Sequence, residues 1–343
     1  MMKRLKILFY SYQHIGFNTG GLQEQIFNTK LALEKEGHIV YLLDEWLNEN
    51  KPKVDICHQF SVHFTLTNTF REIKSLGLPI VISTVYNEES SVLKSLTRKI
   101  SSIGIPLLYY NNIRYFLNNS NFLITLGKSE TKSLLNRFNT KTPIQEISNG
   151  ISSEIIEFHA TDKDQTNINN VVSVVSVGTI CKNKNQLSLI KACKKLGVKL
   201  ILIGPESKSD SEYVKLCKSH EKENIVFKGY LNNKSHEFLE IISEASVFAL
   251  VSHKEVLPIS VFEALALEKP VTCTINSSVS DYFAKNDNVD YCKPHSDADI
   301  YRSLKKQLSV KFNPILSTYI KQEFTWSKVA EKIENVYFKV LEK

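Results

Sequence analysis

Nowhere in these 343 residues do about 18 apolar residues follow one another, so no segment reads as a membrane-spanning helix. The N-terminal stretch MMKRLKILFYSYQ opens basic, but its apolar part is short and soon turns polar. It reads as a first buried strand and not as a signal peptide. Six cysteines (Cys57, Cys181, Cys193, Cys217, Cys273 and Cys292) show neither C-x-x-C nor a framework spacing. That argues against a disulfide scaffold or a thiolate metal site and fits reduced thiols of a cytoplasmic protein. No short fixed period recurs, which excludes a solenoid. The formal charge of +7 is modest for this length and no compact basic run carries it, so a nucleic-acid partner is not expected.

What is present is an ordinary globular composition, 42% hydrophobic and 23% charged, in a chain long enough for two domains. Lys6–Ser11, Ile39–Leu43, Val54–His58, Pro79–Ser83 and Asn121–Leu126 are apolar runs of strand length. A helical pattern over Leu22–Gly37 follows the first, and other helical patterns separate most of the rest. Ser148–Ile151 is a turn, and the polar stretch 161–170 has no periodicity and reads as a linker. A second alternating series follows in 171–178, 199–204, 224–230, 245–252 and 270–275, with glycine ending the first two. Phe324–Leu341 is an amphipathic helix with Trp326, Val329, Ile333, Val336 and Tyr337 on one face. The expected class is α/β: two doubly wound, Rossmann-like domains with ligands at the carboxyl ends of their strands. The first is expected over 1–160 and the second over 171–323.

One stretch, SHKEVLPISVFEALALEKP from Ser252 to Pro270, stands out. Pro258 fits the first position of a helix, with Glu255 in the loop before it and Glu263 inside it. The amides of Ile259 and Ser260 would then favour an anionic phosphate. Carboxylates on either side of an anion site can accept paired hydroxyls, as a sugar nucleotide requires. Upstream, VGTICKNKNQ places Lys184 six residues after Gly178. NTGGLQEQIF places Gly20 and Gly21 at a helix start after the first strand, where amides can approach a phosphate or an acceptor. VFKGYL contains a Gly229–Tyr230 turn.

Taken in order along the chain, these motifs resemble the retaining GT-B glycosyltransferases of family 4, the glycosyl transferases group 1. The resemblance implies two domains facing across a cleft, the first presenting the acceptor and the last helix, 324–343, packing back on it. By the same resemblance Glu255 lies against the donor sugar, Glu263 binds the ribose, and Lys184 with Gly21 holds the diphosphate. The turn at Gly229 and Tyr230 reads the base. Two positions depart from the family pattern. Thr179 stands where arginine is common, which removes a cation. Tyr86 stands where a histidine usually contacts the hexose. Its hydroxyl can hydrogen-bond a sugar but is no base near neutrality, and packing at the strand end is the equal alternative.

The expected catalytic set is therefore Glu255, Lys184 and Tyr86. Gly20, Gly21, Gly178, Thr179, Lys184, Gly229, Tyr230, Ile259, Ser260 and Glu263 are expected to bind the nucleotide-diphosphate sugar. No metal or other cofactor is expected, because Asp162–Asp164 and Asp297–Asp299 read as solvated acids. The expected activity moves a hexose-type sugar to a saccharide or lipid-linked acceptor in surface polysaccharide biosynthesis. A nucleotide-sugar-binding protein without turnover and a sugar-nucleotide epimerase are the rivals. Between Ser90 and Ser129 there is no acidic residue, while Lys94, Arg98, Lys99, Arg114 and Lys128 alternate with aromatic and aliphatic side chains. A core helix with solvated basic flanks is the favoured reading, and peripheral membrane contact through 94–116 the other.

Overall fold

The computed structural model describes residues 3–12, 20–86, 107–158 and 172–342, with the backbone alone for 107–109. The chain divides into two compact units, one of residues 1–149 with 326–343, the other of residues 150–325. The expected linker at 161–170 lies outside the described residues.

The first unit is built on a six-stranded, wholly parallel sheet. Its strands are β1 (Lys6–Ser11), β2 (Ile39–Leu42), β3 (Ile56–Phe60), β4 (Ile80–Ser83), β5 (Phe122–Thr125) and β6 (Ile144–Glu146). Their spatial order is β2-β1-β3-β4-β5-β6. Near-continuous apolar runs form these strands because helices cover both faces and leave no solvated side to alternate with. On one face Leu8, Tyr10, Cys57, Phe70, Ile82, Ile113, Phe116 and Leu134 share a buried core. The favoured reading of the basic, aromatic segment matches what is described of it. Ile113, Phe116 and Leu117 of the helix Leu107–Asn119 are buried in that core, and Arg114 points outward. Lys94, Arg98 and Lys99 lie outside the described residues.

The second unit repeats the plan in the order β12-β11-β10-β7-β8-β9, again all parallel. These are β7 (Ser173–Val177), β8 (Lys199–Ile203), β9 (Ile225–Gly229), β10 (Val247–Leu250), β11 (Val271–Thr274) and β12 (Val289–Cys292). Two edge strands, β6 and β12, are absent from the sequence reading. β6 is three residues long and never fully buried, and β12 carries Asp290 in its middle. That carboxylate is tolerated because Arg302 and Lys306, on the helix Asp297–Gln307, each reach it at 2.8 Å. The α/β, doubly wound GT-B class expected from the sequence is the class observed. Among the described residues no helix is long and apolar enough to cross a membrane.

The C-terminal helix Trp326–Leu341 belongs to the first unit, and the face marked by Trp326, Val329, Ile333, Val336 and Tyr337 is buried. Two histidines fasten it. Leu5 N–H donates to His38 Nδ1 at 3.1 Å, which leaves Nε2–H to donate to Glu334 at 2.9 Å. His58, wholly buried beside Phe9 and Phe60, meets the Tyr337 hydroxyl through Nδ1 at 2.6 Å and Ser83 through Nε2 at 2.8 Å. His38 is thus structural.

Candidate functional site

In the second sheet the chain adds β8 and β9 on one side of β7, then crosses to β10 on the other. The strand order reverses between β7 and β10, and it is outside the carboxyl ends of such a pair that open α/β sheets hold ligands. The loop after β7 turns at Gly178 and passes through a short 3₁₀ turn, Lys182–Lys184, to Asn185. Asn185 adopts the left-handed conformation, φ 57°, and its side-chain amide donates to the carbonyls of Val251 (3.2 Å) and Pro294 (2.8 Å). Asn183 accepts from the His253 amide at 2.7 Å and donates through Nδ2 to the Lys254 carbonyl at 3.0 Å. The loops after β7 and β10 are laced together at the switch point. Their lacing brings Lys184 Nζ to 2.7 Å from Glu255 Oε1, with both side chains mostly buried.

Two glycines make room for this. At Gly178 (φ +149°) an added Cβ would stand 3.0 Å from Lys184 Cε, so the lysine crosses where a side chain would be. At Gly204 (φ +149°) a Cβ would stand 2.2 Å from the Gly178 carbonyl oxygen, inside any tolerated contact. The Gly204 amide donates to Gly229 at 2.7 Å, which ties the ends of β8 and β9 together and presents Tyr230, 56% exposed.

After β10, the Glu255 amide donates to Asn276 and the Ser278 amide to Val256, so the loop after β11 braces the glutamate. The helix then runs Ile259–Ala266 with Pro258 as its N-cap, one residue earlier than the first helical position expected for that proline. Pro258 has φ −69° but an extended ψ of 120°, so it ends the loop and does not begin the helix. Ile259 and Ser260 open the first turn, whose amides have no intrahelical acceptor. Glu263 is 4% exposed in a helix whose other residues are nearly all buried apolar side chains.

Gly178, Thr179, Lys184, Gly229, Tyr230, Glu255, Ile259, Ser260 and Glu263 thus sit at the carboxyl ends of β7 to β10 or just beyond them, with Lys184 and Glu255 in direct contact. Thr179 offers its carbonyl to Gln186 at 2.9 Å. Gly20, Gly21 and Tyr86 belong to the first unit. Gly20 caps the helix Gly21–Lys35, and a Cβ on Gly21 would meet nothing within 4 Å. Tyr86 is 5% exposed, packs edge-on to Phe138 and accepts a 2.8 Å hydrogen bond from Arg137. Of the two Asp pairs, Asp162 and Asp164 lie outside the described residues. Asp299 accepts from the Lys293 amide and Arg302, and Asp297 is exposed at the same helix start.

The sequence reading missed Glu130. Its carboxylate, 3% exposed, accepts from Thr84 Oγ1 (2.5 Å), Tyr86 N (2.6 Å) and Leu126 N (2.6 Å). It therefore ties the ends of β4 and β5 together around Val85, a β-branched residue at φ 42°. Burial pushes its pKa up to about 7 against the pull of those hydrogen bonds. The only signal available was a glutamate in the first turn of a helix, which is too common to single out.

Comparison with known proteins agrees with this geometry. Residues 159–322 match the model of the family described as glycosyl transferases group 1. No curated protein sequence matches the chain. Sucrose-phosphate synthase from Thermosynechococcus elongatus superposes with a TM-score of 0.76 at 13% identity, over 99% of this chain and all of that one. Anabaena Alr3699/HepE in complex with UDP gives 0.73 at 14% identity, over 98% of this chain and 100% of its own. The lipopolysaccharide outer core galactosyltransferase WaaB gives 0.67 at 14%, over 98% and 99%. The protein is a two-unit GT-B protein. Residues 159–322, most of its second unit, resemble the glycosyl transferases group 1 family.

Proposed function

We propose that the chain is a retaining, metal-independent glycosyltransferase that takes a hexose-type sugar from a nucleotide-diphosphate donor to a saccharide or lipid-linked acceptor. What carries the reading is the Lys184–Glu255 contact at the β7/β10 switch point, beside the helix start at Ile259 and Ser260. One cation and one helix N-terminus suit a diphosphate, whose charge grows as the glycosidic bond breaks. Groups held in place beforehand stabilise that charge more in the transition state than in the ground state. The lysine then exchanges its carboxylate partner for the phosphates, and Glu255 turns to the sugar and the positive charge at its anomeric carbon. Glu263 takes the ribose hydroxyls. The acceptor hydroxyl attacks on the face the diphosphate leaves, and the departing phosphate oxygen receives its proton, so no protein base is required. UDP in the Anabaena neighbour supports a nucleotide donor, and the outer-core galactosyltransferase supports a surface saccharide as acceptor.

The test is incubation with UDP-, GDP- and ADP-sugars in metal-free buffer, alone and with simple glycosides, while nucleoside diphosphate release is followed. Release from one donor, lost in Lys184→Ala and Glu263→Ala, is the expected outcome. Release that survives both substitutions would place the chemistry elsewhere and refute the reading.

A further inference from the structure

In the second sheet β10 lies between β7 and β11, and its ladder ends at Leu250. Beyond that point the main chain of residues 253–255 is held by the loops that follow those two neighbours. On the β7 side, the His253 amide donates to the Asn183 carbonyl at 2.7 Å, and Asn183 Nδ2 donates to the Lys254 carbonyl at 3.0 Å. On the β11 side, Asn276 Nδ2 donates to the His253 carbonyl at 2.9 Å, and the Glu255 amide donates to the Asn276 carbonyl at 3.0 Å. Each asparagine thus grips one amide and one carbonyl of the same three residues.

The grip is itself anchored. Asn183 is the middle residue of the 3₁₀ turn Lys182–Lys184. The Asn276 amide donates to the hydroxyl of the buried Thr274 at 3.2 Å. The His253 ring stacks on His295 with centroids 4.6 Å apart and planes 19° apart. Position in the chain gives these bonds their meaning. Asn183 directly precedes Lys184, and Lys254, whose carbonyl it holds, directly precedes Glu255. One side-chain hydrogen bond therefore joins the backbone roots of the ammonium and the carboxylate. Alanine at either asparagine would keep the main-chain bond and lose the side-chain one. Aspartate would fill the same space but set an oxygen, with no hydrogen to donate, against a carbonyl.

We propose that Asn183 and Asn276 are positioning residues for the glycosyl transfer, which fix the backbone on which Glu255 and Lys184 stand. The inference rests on the glycosyltransferase reading. Without a donor, the 2.7 Å contact between Lys184 and Glu255 helps to orient both side chains. Once a diphosphate draws the lysine away, that contact is gone, and the asparagine clamp keeps the carboxylate aimed at the sugar. Aim matters because a catalytic group displaced by about 1 Å can cost on the order of 10²-fold in rate. Asn276 holds only the Glu255 side of the pair, whereas Asn183 holds both. Loss of the Asn276 side chain should therefore be felt at the sugar and not at the diphosphate.

Amide exchange followed by NMR, together with binding and turnover, tests this on the full-length protein. The probes are the glucose, galactose and mannose derivatives of UDP, GDP and ADP, each compared with its bare diphosphate. In Asn276→Ala and in Asn276→Asp the His253 and Glu255 amides should exchange roughly tenfold faster, the worth of one hydrogen bond. The sugar nucleotide should bind roughly tenfold more weakly and turn over about 10–100-fold more slowly, while the Kd of its diphosphate stays constant. In a chain already carrying Glu255→Ala, adding Asn276→Ala should weaken sugar-nucleotide binding no further. A merely structural asparagine would weaken sugar nucleotide and diphosphate alike, and would do so again in the Glu255→Ala background. Either result overturns the proposal, as do amides that exchange at the wild-type rate in both variants. Wild-type turnover beside such unmoved amides refutes the clamp alone. If no sugar nucleotide binds the wild type, the glycosyltransferase reading falls and the positioning role falls with it.

Discussion

Lys184 and Glu255 are 71 residues apart in sequence, and their side chains meet because the turns at Gly178 and Asn185 aim one loop at the other. Replacing Lys184 with glutamine should cut donor turnover by roughly 10²–10³-fold, the usual effect of removing one preorganised charge partner from a transition state. Steady-state release of nucleoside diphosphate measures it. Gly178→Ala should do nearly as much without touching a charge, because its Cβ displaces the lysine stem; the UDP dissociation constant is the readout. Gly204→Ala is a different case. Its Cβ meets backbone at 2.2 Å with φ +149°, so the expected result is destabilisation by about 3 kcal/mol, seen as a lowered Tm. The sequence displayed all of these glycines but not the reason for them. A close approach between two loops is invisible until both are placed.

At the level of elements, the strand His58 lies on and the helix Glu130 opens each carry a buried titratable group, and the two act in opposite directions. Burial raises Glu130 from 4.5 to about 7 and lowers His58 from 6.5 to about 3. Between pH 4.5 and 7 the folded protein keeps a proton on Glu130 that the unfolded chain has lost, so this group withdraws stability as pH rises. Between pH 6.5 and 3 the unfolded chain protonates its histidine while the folded one does not, so His58 withdraws stability as pH falls. The two slopes oppose each other in the overlap, so neither shows its full size in the wild type. Glu130→Gln should leave the His58 slope exposed, with stability rising towards pH 6.5. His58→Asn should leave the Glu130 slope, with stability falling towards pH 7. Each slope amounts to roughly 3–5 kcal/mol over its full window at 1.36 kcal/mol per pKa unit, measured by urea unfolding from pH 4 to 8. Parallel profiles for the wild type and both variants would refute the pairing.

At the level of the whole molecule, the chain returns to its first unit at the end. Trp326–Leu341 completes a core whose other members lie before residue 150. Removing residues 326–343 should therefore unfold the first unit and leave the second, 150–325, able to keep its own sheet. Limited proteolysis of the truncated protein should yield a resistant fragment from the second unit. Tyr337→Phe is the milder version. It strips His58 Nδ1 of a partner in a fully buried position and should cost about 1–3 kcal/mol in urea unfolding.

Apolar runs of strand length alternating with helical patterns determined two parallel sheets from the sequence alone, because strands buried on both faces leave no other reading. The spacing of Glu255 and Glu263 around Pro258, with Gly178 and Lys184 upstream, likewise marked the candidate donor residues. Short edge strands such as β6 and β12 escaped, since three or four residues with a charge among them carry too little periodicity. Only the tertiary structure decided that Lys184 pairs with Glu255, that Tyr86 turns into the core and that Glu130 grips the turn at Val85. Only strand order, with β7 and β11 flanking β10, placed Asn183 and Asn276 about residues 253–255. Local patterns report which face of an element is buried, whereas contacts between loops depend on the order in which strands lie side by side, and no local pattern encodes that order.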